Sequence, residues 1–432
     1  MDKFKIGPVR ATALVSGNMI GSGILVAPAL LAPYGQMSII GWVLTTIGAL
    51  ALALIFSKLA IWIPNSGGPY TYVKRVFGDF VGFQMAWGYW ISSWCGSVSL
   101  MIGTIQYISI FAPEFVSNST YSILFGLSMI WLFTYFNIRG LKETTFVGVI
   151  VFLIKVVPLV FIALFGIFYT DFSRVFTFEK CDWSSFGSMS TILLWSFIGL
   201  ESATIPSEEV RTPKKTIPIA TIAGVLITAA VYILGAIVIT GVLPYEELIK
   251  SPAPYVDSAA KIFGRPGYLF MIITGIIGLV GSLNGWILIQ GQVPYAAAKE
   301  GLFPKIFEKK NKNGAPLGVL IGSILMSIVF VLTYQNTLSV VLRLLIDISV
   351  LAMLLPYFYS VIAYGYLAVK KKKELSSIEK MVMPIIGLIA FIYSFYSIVG
   401  AGRDEVYLCF IIFLISVPFY CFVKKKELGE KE

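Results

Sequence analysis

The 432-residue chain contains no histidine, and only 13% of its residues are charged. The first absence removes histidine proton relays, histidine-activated nucleophiles and the commonest metal ligand. The second excludes an ordinary soluble domain, which carries about 25% charged residues. Cysteine is scarce too: Cys95, Cys181, Cys409 and Cys421 show neither pairing nor metal-ligand spacing. No G-x-x-x-x-G-K-[ST] loop is present, which argues against an ATP-driven pump. With no nucleophile–base pair and no metal cluster, the chain does not read as an enzyme: no catalytic residue, metal or cofactor is expected. A channel would need a filter repeated around several subunits, and nothing in the chain suggests one.

What fills the space left by charge is apolar: 57% of the residues are hydrophobic. Runs of about 20 such residues, the length that crosses a bilayer, recur between short polar loops. We read an all-α membrane protein with twelve spans at about 9–32, 38–63, 80–111, 120–137, 146–170, 188–207, 217–243, 264–297, 316–334, 340–366, 381–400 and 405–423. The third and eighth exceed what a bilayer needs. The first is of full spanning length with no A-x-A-like site after it, so it reads as a retained span. Lysine and arginine set the orientation. One set of loops holds 24 of them, from Lys3 through Lys370–Lys373 to Lys431, and the other holds 6, among them Arg174 and Arg403. The positive-inside rule then puts both termini in the cytoplasm. The net charge of +10 reflects this topology and contact with lipid, and no nucleic-acid partner is expected.

Two segments do not suit a continuous membrane helix. Gly17-Asn18-Met19-Ile20-Gly21-Ser22-Gly23 puts three glycines and a serine in seven positions of the first span. Each glycine costs about 1 kcal/mol relative to alanine in a helix. Five spans later, Trp195-Ser196-Phe197-Ile198-Gly199-Leu200-Glu201-Ser202-Ala203 combines a glycine, two serines and a carboxylate. A mid-membrane carboxylate costs at least about 2.5 kcal/mol on insertion scales. One glycine-rich segment alone reads equally well as close helix packing. Two at corresponding positions of two halves point to a pair of broken helices around a ligand. The expectation is a 5+5 inverted repeat, about 9–170 and 188–366, within a transporter core of 1–368, followed by two added helices and a tail over 369–432. N–H groups near Ser22 and Gly23 suit a carboxylate, and carbonyls near Phe197–Gly199 suit an ammonium group. Together they match the backbone of an amino acid.

The chain resembles the amino acid–polyamine–organocation (APC) family, and within it the bacterial arginine/agmatine and other basic amino acid/polyamine antiporters. The resemblance covers nearly the whole chain. It is carried by Gly17–Gly23, Ser66-Gly67-Gly68-Pro69-Tyr70, Trp195–Ala203, Thr216-Ile217-Pro218-Ile219-Ala220-Thr221, and Gly281-Ser282-Leu283 through Gly301-Leu302-Phe303. It implies a LeuT-like fold, exchange of a cationic amino acid for its decarboxylated amine, a bacterial inner-membrane location and a homodimer. It further implies that Asn18, Ser22 and Gly23 meet the substrate carboxylate. Trp195 and Ile198 would hold the stem and amino end, with Trp195 closing by a cation–π contact. Trp286 and Ser349 would line the pocket, Tyr89 and Tyr357 would gate it, and Glu201 would serve pH sensing and coupling.

Departures from the relatives bear on the substrate and the energetics. Ser92, Ser93 and Ser97 on the third span, and Met353 on the tenth, stand where the arginine antiporter has other residues, so they are expected to shape the side-chain subsite. Lys155 lies in mid-span where that antiporter has alanine. In other family members a lysine there takes the place of a sodium ion and is linked to proton coupling. The alternative function is therefore proton-coupled uptake of a broader or neutral amino acid range. The plainer alternatives are core aromatics for Trp286, Tyr89 and Tyr357, a hydrogen-bond acceptor for Glu201, and snorkelling to the interface for Lys155. Arg343 and Asp347 are spaced i and i+4 on one helix face, as in an ion pair.

Overall fold

The computed structural model describes residues 4–176, 186–334, 338–400 and 402–429. Over these the chain is helical, and its β-bridges are isolated ones, Ile6 with Val210 and Lys310 with Pro316. In chain order the main helices are α1 (Pro8–Met19), α2 (Ser22–Leu31), α3 (Met37–Trp62), α4 (Pro69–Phe77), α5 (Asp79–Ile108), α6 (Ser119–Ile138) and α7 (Leu141–Gly166). They continue with α8 (Phe186–Trp195), α9 (Pro213–Val242), α10 (Pro254–Lys299), α11 (Gly318–Thr333), α12 (Leu338–Lys370), α13 (Ser377–Gly400) and α14 (Arg403–Gly429). Eight are long and apolar enough to cross a bilayer, and α1 with α2, bent by 40° at their junction, makes a ninth when counted as one span. This is a multi-pass membrane protein. The 26 residues of α3 rise about 39 Å, more than the hydrocarbon core.

The helices carry their apolar residues outward as well as inward. On α7, Phe146, Ile150, Leu153, Val157, Phe161 and Leu164 are exposed at helical spacing, while Val151, Lys155, Leu159 and Ile162 form the buried stripe. Hydroxyls inside the bundle are quenched locally: Ser97, Ser99, Thr104 and Thr134 each donate to the carbonyl four residues earlier. α5 packs against α10 and α12, α3 against α9, and α1 against α7 and α9. α13 covers α3, α8 and α12, and α14 covers α5 and α12.

Two boundaries differ from the sequence reading. The sixth segment, expected over 188–207, is helical only to Trp195 and then runs through turns and 3-10 pieces to Thr212. Gly199 there has φ +105°, and Ser202, Thr204 and Ser207 each donate to a carbonyl three residues back, competing with the helix ladder. The eighth segment begins at Pro254, with a kink at Gly264 (φ 64°) that joins a less apolar helix to the expected span. Cys181 falls outside the described residues, as does the side chain of Arg343, while Asp347 is half-buried on α12.

Candidate substrate site between two helix breaks

The break in the first span removes specific backbone bonds, and the structure shows what replaces them. A continuous helix would pair the carbonyls of Gly17, Met19 and Ile20 with the N–H groups of Gly21, Gly23 and Ile24. Instead, the Lys155 ammonium on α7 donates to Gly17 O at 2.6 Å and Ile20 O at 2.8 Å. The Tyr232 hydroxyl on α9 donates to Met19 O at 2.8 Å and reaches Ser196 O, beside the second break, at 2.9 Å. Lys155 also reaches Ser282 Oγ on α10 at 2.6 Å. It is buried and turned inward to α1, so it does not snorkel. These three acceptors of the break are thus satisfied. Its donors, at the N-terminus of α2, have no side-chain cap, and Gly21 and Gly23 open onto a cavity.

The second break faces the first. Asn18 Nδ2 donates to Ser202 Oγ at 2.8 Å, and a Cβ on Gly199 would stand 2.9 Å from Asn18 Cβ and 3.3 Å from its carbonyl carbon. Gly285 on α10 packs as tightly, since a Cβ there would meet Asn18 Oδ1 at 1.9 Å. Past the end of α8, Ser196 O is taken by Tyr232 and Gly199 O by Ser202. The carbonyls of Phe197 and Ile198 accept no hydrogen bond among the described residues. The uncapped N-terminus of α2, at Gly21 and Gly23, and the residues at the end of α8, Trp195, Ser196 and Ile198, therefore line one shared space. A Gly199→Ala substitution should cost about 1–3 kcal/mol, because alanine is strained at positive φ and its methyl would push the two breaks apart. A thermal unfolding midpoint in detergent equal to that of the unsubstituted protein would contradict this.

The cavity measures about 50 Å³, well below the roughly 300–1,000 Å³ of small-ligand sites, so the space between the breaks is nearly closed. Of the residues expected from sequence, it gathers Asn18, Gly23, Ser92, Trp195, Ile198, Trp286 and Ser349. No charged side chain is among its lining residues. Ser92 on α5 and Ser349 on α12 are mutually bonded: Ser92 Oγ donates to Ser349 O at 2.6 Å and Ser349 Oγ to Ser92 O at 3.0 Å. Ser93 and Ser97 are not among the lining residues. Their hydroxyls donate to Trp90 O and Ser93 O within their own helix, both at 2.7 Å. The face of α5 towards the cavity is Ser92, Gly96 and Leu100. Met353 is fully buried away from it. Ser22 begins α2, but its side chain lies outside the described residues.

Glu201 is fully buried and clasped on both sides, with Tyr89 Oη donating to Oε1 and Tyr357 Oη to Oε2. Tyr357 Oη also accepts the Gly199 N–H at 3.2 Å, which ties the carboxylate to the unwound segment. Tyr232, Ser282 and Gly285 hold the breaks together alongside Gly199, yet sequence reasoning assigned none of these three a role. Ser282 lay in a noted motif. Tyr232 carries no signal that separates it from a core aromatic.

The basic end of the bundle is closed by pairing of the N-terminal residues with the same unwound segment. Ile6 N donates to Glu209 O and Arg211 N to Ile6 O, both at 2.8 Å. Lys299 pairs with Glu208 at 3.2 Å and Lys74 with Glu300 at 2.9 Å.

Comparison with known proteins agrees with this architecture. The amino acid permease family model matches residues 6–423. The cadaverine/lysine antiporter of Escherichia coli (strain K12) is 31% identical over 429 residues, covering 96% of this chain and 94% of that protein. The putrescine transporter PotE of the same organism is 30% identical over 438 residues, covering 99% and 98%. A glycine-broken first span, an unwound sixth and near-complete coverage by relatives leave one conclusion: the chain belongs to the amino acid permease family.

Proposed function

We propose that the protein is a secondary transporter that exchanges a cationic amino acid (arginine, ornithine or lysine) for its decarboxylated amine by alternating access. The observation that carries this is the cavity between two facing helix breaks, lined by the uncapped N-terminus of α2 on one side and by Trp195, Ser196 and Ile198 at the second break on the other. A zwitterion satisfies both: its carboxylate on the α2 N-terminus near Ser22 and Gly23, beside Asn18, and its ammonium on Phe197 O and Ile198 O. Trp195 and Trp286 flank the stem, and an aromatic face attracts a cationic end where no carboxylate lines the pocket. Ser92 and Ser349 close the far side, with Ser93 and Ser97 supporting them from behind. Glu201, with Tyr89 and Tyr357, couples the unwound segment to α5 and α12 during the cycle. Relatives named for cadaverine/lysine exchange and putrescine transport support this substrate class.

The same reading includes twelve spans, with α1–α7 and α8–α12 as the two halves of a LeuT-like inverted repeat (the 1–368 core) and α13 and α14 as additions. It puts both termini in the cytoplasm of a bacterial inner-membrane protein, following the lysine-rich loops, and two copies together as a homodimer. A second reading, proton-coupled uptake, is favoured by one observation: a buried ammonium bonded to the break itself. In proteoliposomes, arginine, ornithine and lysine should compete with a labelled cationic amino acid better than neutral amino acids do. Trp195→Ala should raise the apparent KM for cations about tenfold, as a desolvated cation–π contact is worth up to about 2 kcal/mol. Equal competition by neutral amino acids, or an unchanged KM, would contradict the assignment. Uptake that follows a pH gradient and ignores internal amine would favour the second reading.

A further inference from the structure

At the lysine-rich face, α12 runs out to Lys370 and turns through a short 3-10 segment, Lys372–Glu374, into α13. Between the two helices lies a groove of about 790 Å³, walled by Tyr364, Ala368, Met383, Leu388 and Phe391. Two glycines open it. A Cβ on Gly365 would meet nothing within 4 Å, and one on Gly387 would only touch Tyr364 at 3.7 Å. The apolar interior ends at a polar mouth lined by Lys372 and Lys380, both exposed, and by Glu379.

The surrounding charge is unbalanced. Lys58, Lys370, Lys371, Lys372, Lys373 and Lys380 meet only Glu374 and Glu379 in this region, so six cations less two anions leave +4. Both carboxylates are already engaged. Lys371 holds Glu374 at 2.8 Å, and Lys58 holds Glu379. Among the described residues no carboxylate pairs with Lys372, Lys373 or Lys380.

We propose that this groove is a binding site for an anionic phospholipid, with its phosphate at Lys372, Lys373 and Lys380 and an acyl chain between α12 and α13. Charge complementarity selects this occupant. A free phosphate would use the mouth and leave the apolar groove empty. A second copy joined symmetrically through this face would bring one lysine cluster towards another. A basic cluster just beyond a membrane helix recognises anionic headgroups, each lysine contributing about fivefold in affinity (about 1 kcal/mol).

The test is native mass spectrometry of the full-length protein, titrated with dioleoylphosphatidylglycerol or dioleoylphosphatidylcholine. The unsubstituted protein should retain the anionic lipid at least about tenfold better. The triple substitution K372Q/K373Q/K380Q should lower that retention by on the order of a hundredfold and leave the neutral lipid unaffected. Gly365→Leu fills the groove with room to spare and keeps every lysine, so it should weaken both lipids while the protein unfolds at an unchanged temperature. Equal retention of the two lipids by the unsubstituted protein would overturn the proposal. So would anionic-lipid retention unchanged in either variant, or displacement of the lipid by millimolar inorganic phosphate alone. A dimer lost in Gly365→Leu without lipid selectivity would place a second copy in the groove and overturn it as well.

Discussion

Lys155→Met should reduce amino acid exchange at least tenfold and lower stability by about 2–5 kcal/mol. Methionine keeps the unbranched stem that packs on Gly278, so no large cavity opens. What it removes is the donor to Gly17 O and Ile20 O. Ser282 can still donate to Gly278 O at 3.2 Å or Ile20 O at 3.4 Å, so among the described residues the substitution leaves Ile20 O with only this longer bond and Gly17 O with no side-chain donor. Each unsatisfied buried group costs about 1–3 kcal/mol, and roughly 1.4 kcal/mol is a factor of ten in any equilibrium the break controls. The measurement is paired: thermal unfolding in detergent and exchange in proteoliposomes on the same preparation. Unchanged unfolding with intact exchange would show that Lys155 does not hold the break. Intact exchange with loss of gradient-driven uptake would move the balance to proton coupling.

The second large effect concerns Glu201 and is a cycle rather than one substitution. Removing both phenols, Tyr89→Phe with Tyr357→Phe, strips a fully buried carboxylate of the two hydroxyl donors that clasp it. Leaving a buried charge without its partners costs about 3–5 kcal/mol. Adding Glu201→Gln to the same protein removes the charge and should recover more than half of that loss, because a neutral amide is far cheaper to bury. The triple variant should therefore unfold at a higher temperature than the double one, although it carries one more change. Exchange should stay low in both, since Tyr357 also holds the Gly199 N–H. A triple variant less stable than the double one would show that the carboxylate is held by something other than the two tyrosines.

Part of this arrangement is legible in the sequence. Apolar run length and loop charge marked out the segments, because a bilayer imposes both. Glycine clusters located both breaks. Their partners were less visible, and for physical reasons. Ser92, Ser93 and Ser97 look alike in sequence, yet one helical step decides which of them turns towards the cavity, and only packing against α12 shows it is Ser92. The break in the sixth segment is legible at Trp195–Ala203, but not that the chain beyond it runs on in turns and 3-10 pieces, because composition reports hydrophobicity and not the hydroxyl–carbonyl bonds that replace the helix there. Tyr232 satisfies both breaks from a helix whose own pattern is plain apolar core. A residue whose role is created by two distant segments leaves no local trace.

The central claim, that the facing breaks form one site used alternately by an amino acid and its amine, is tested most directly by trans-stimulation. Proteoliposomes loaded with cadaverine, putrescine or agmatine are diluted into labelled lysine, ornithine or arginine, without a pH gradient. The account predicts that the matching internal amine accelerates uptake by at least about tenfold over empty vesicles, and that Trp195→Ala removes most of this acceleration. Uptake at the same rate in empty and amine-loaded vesicles would contradict it.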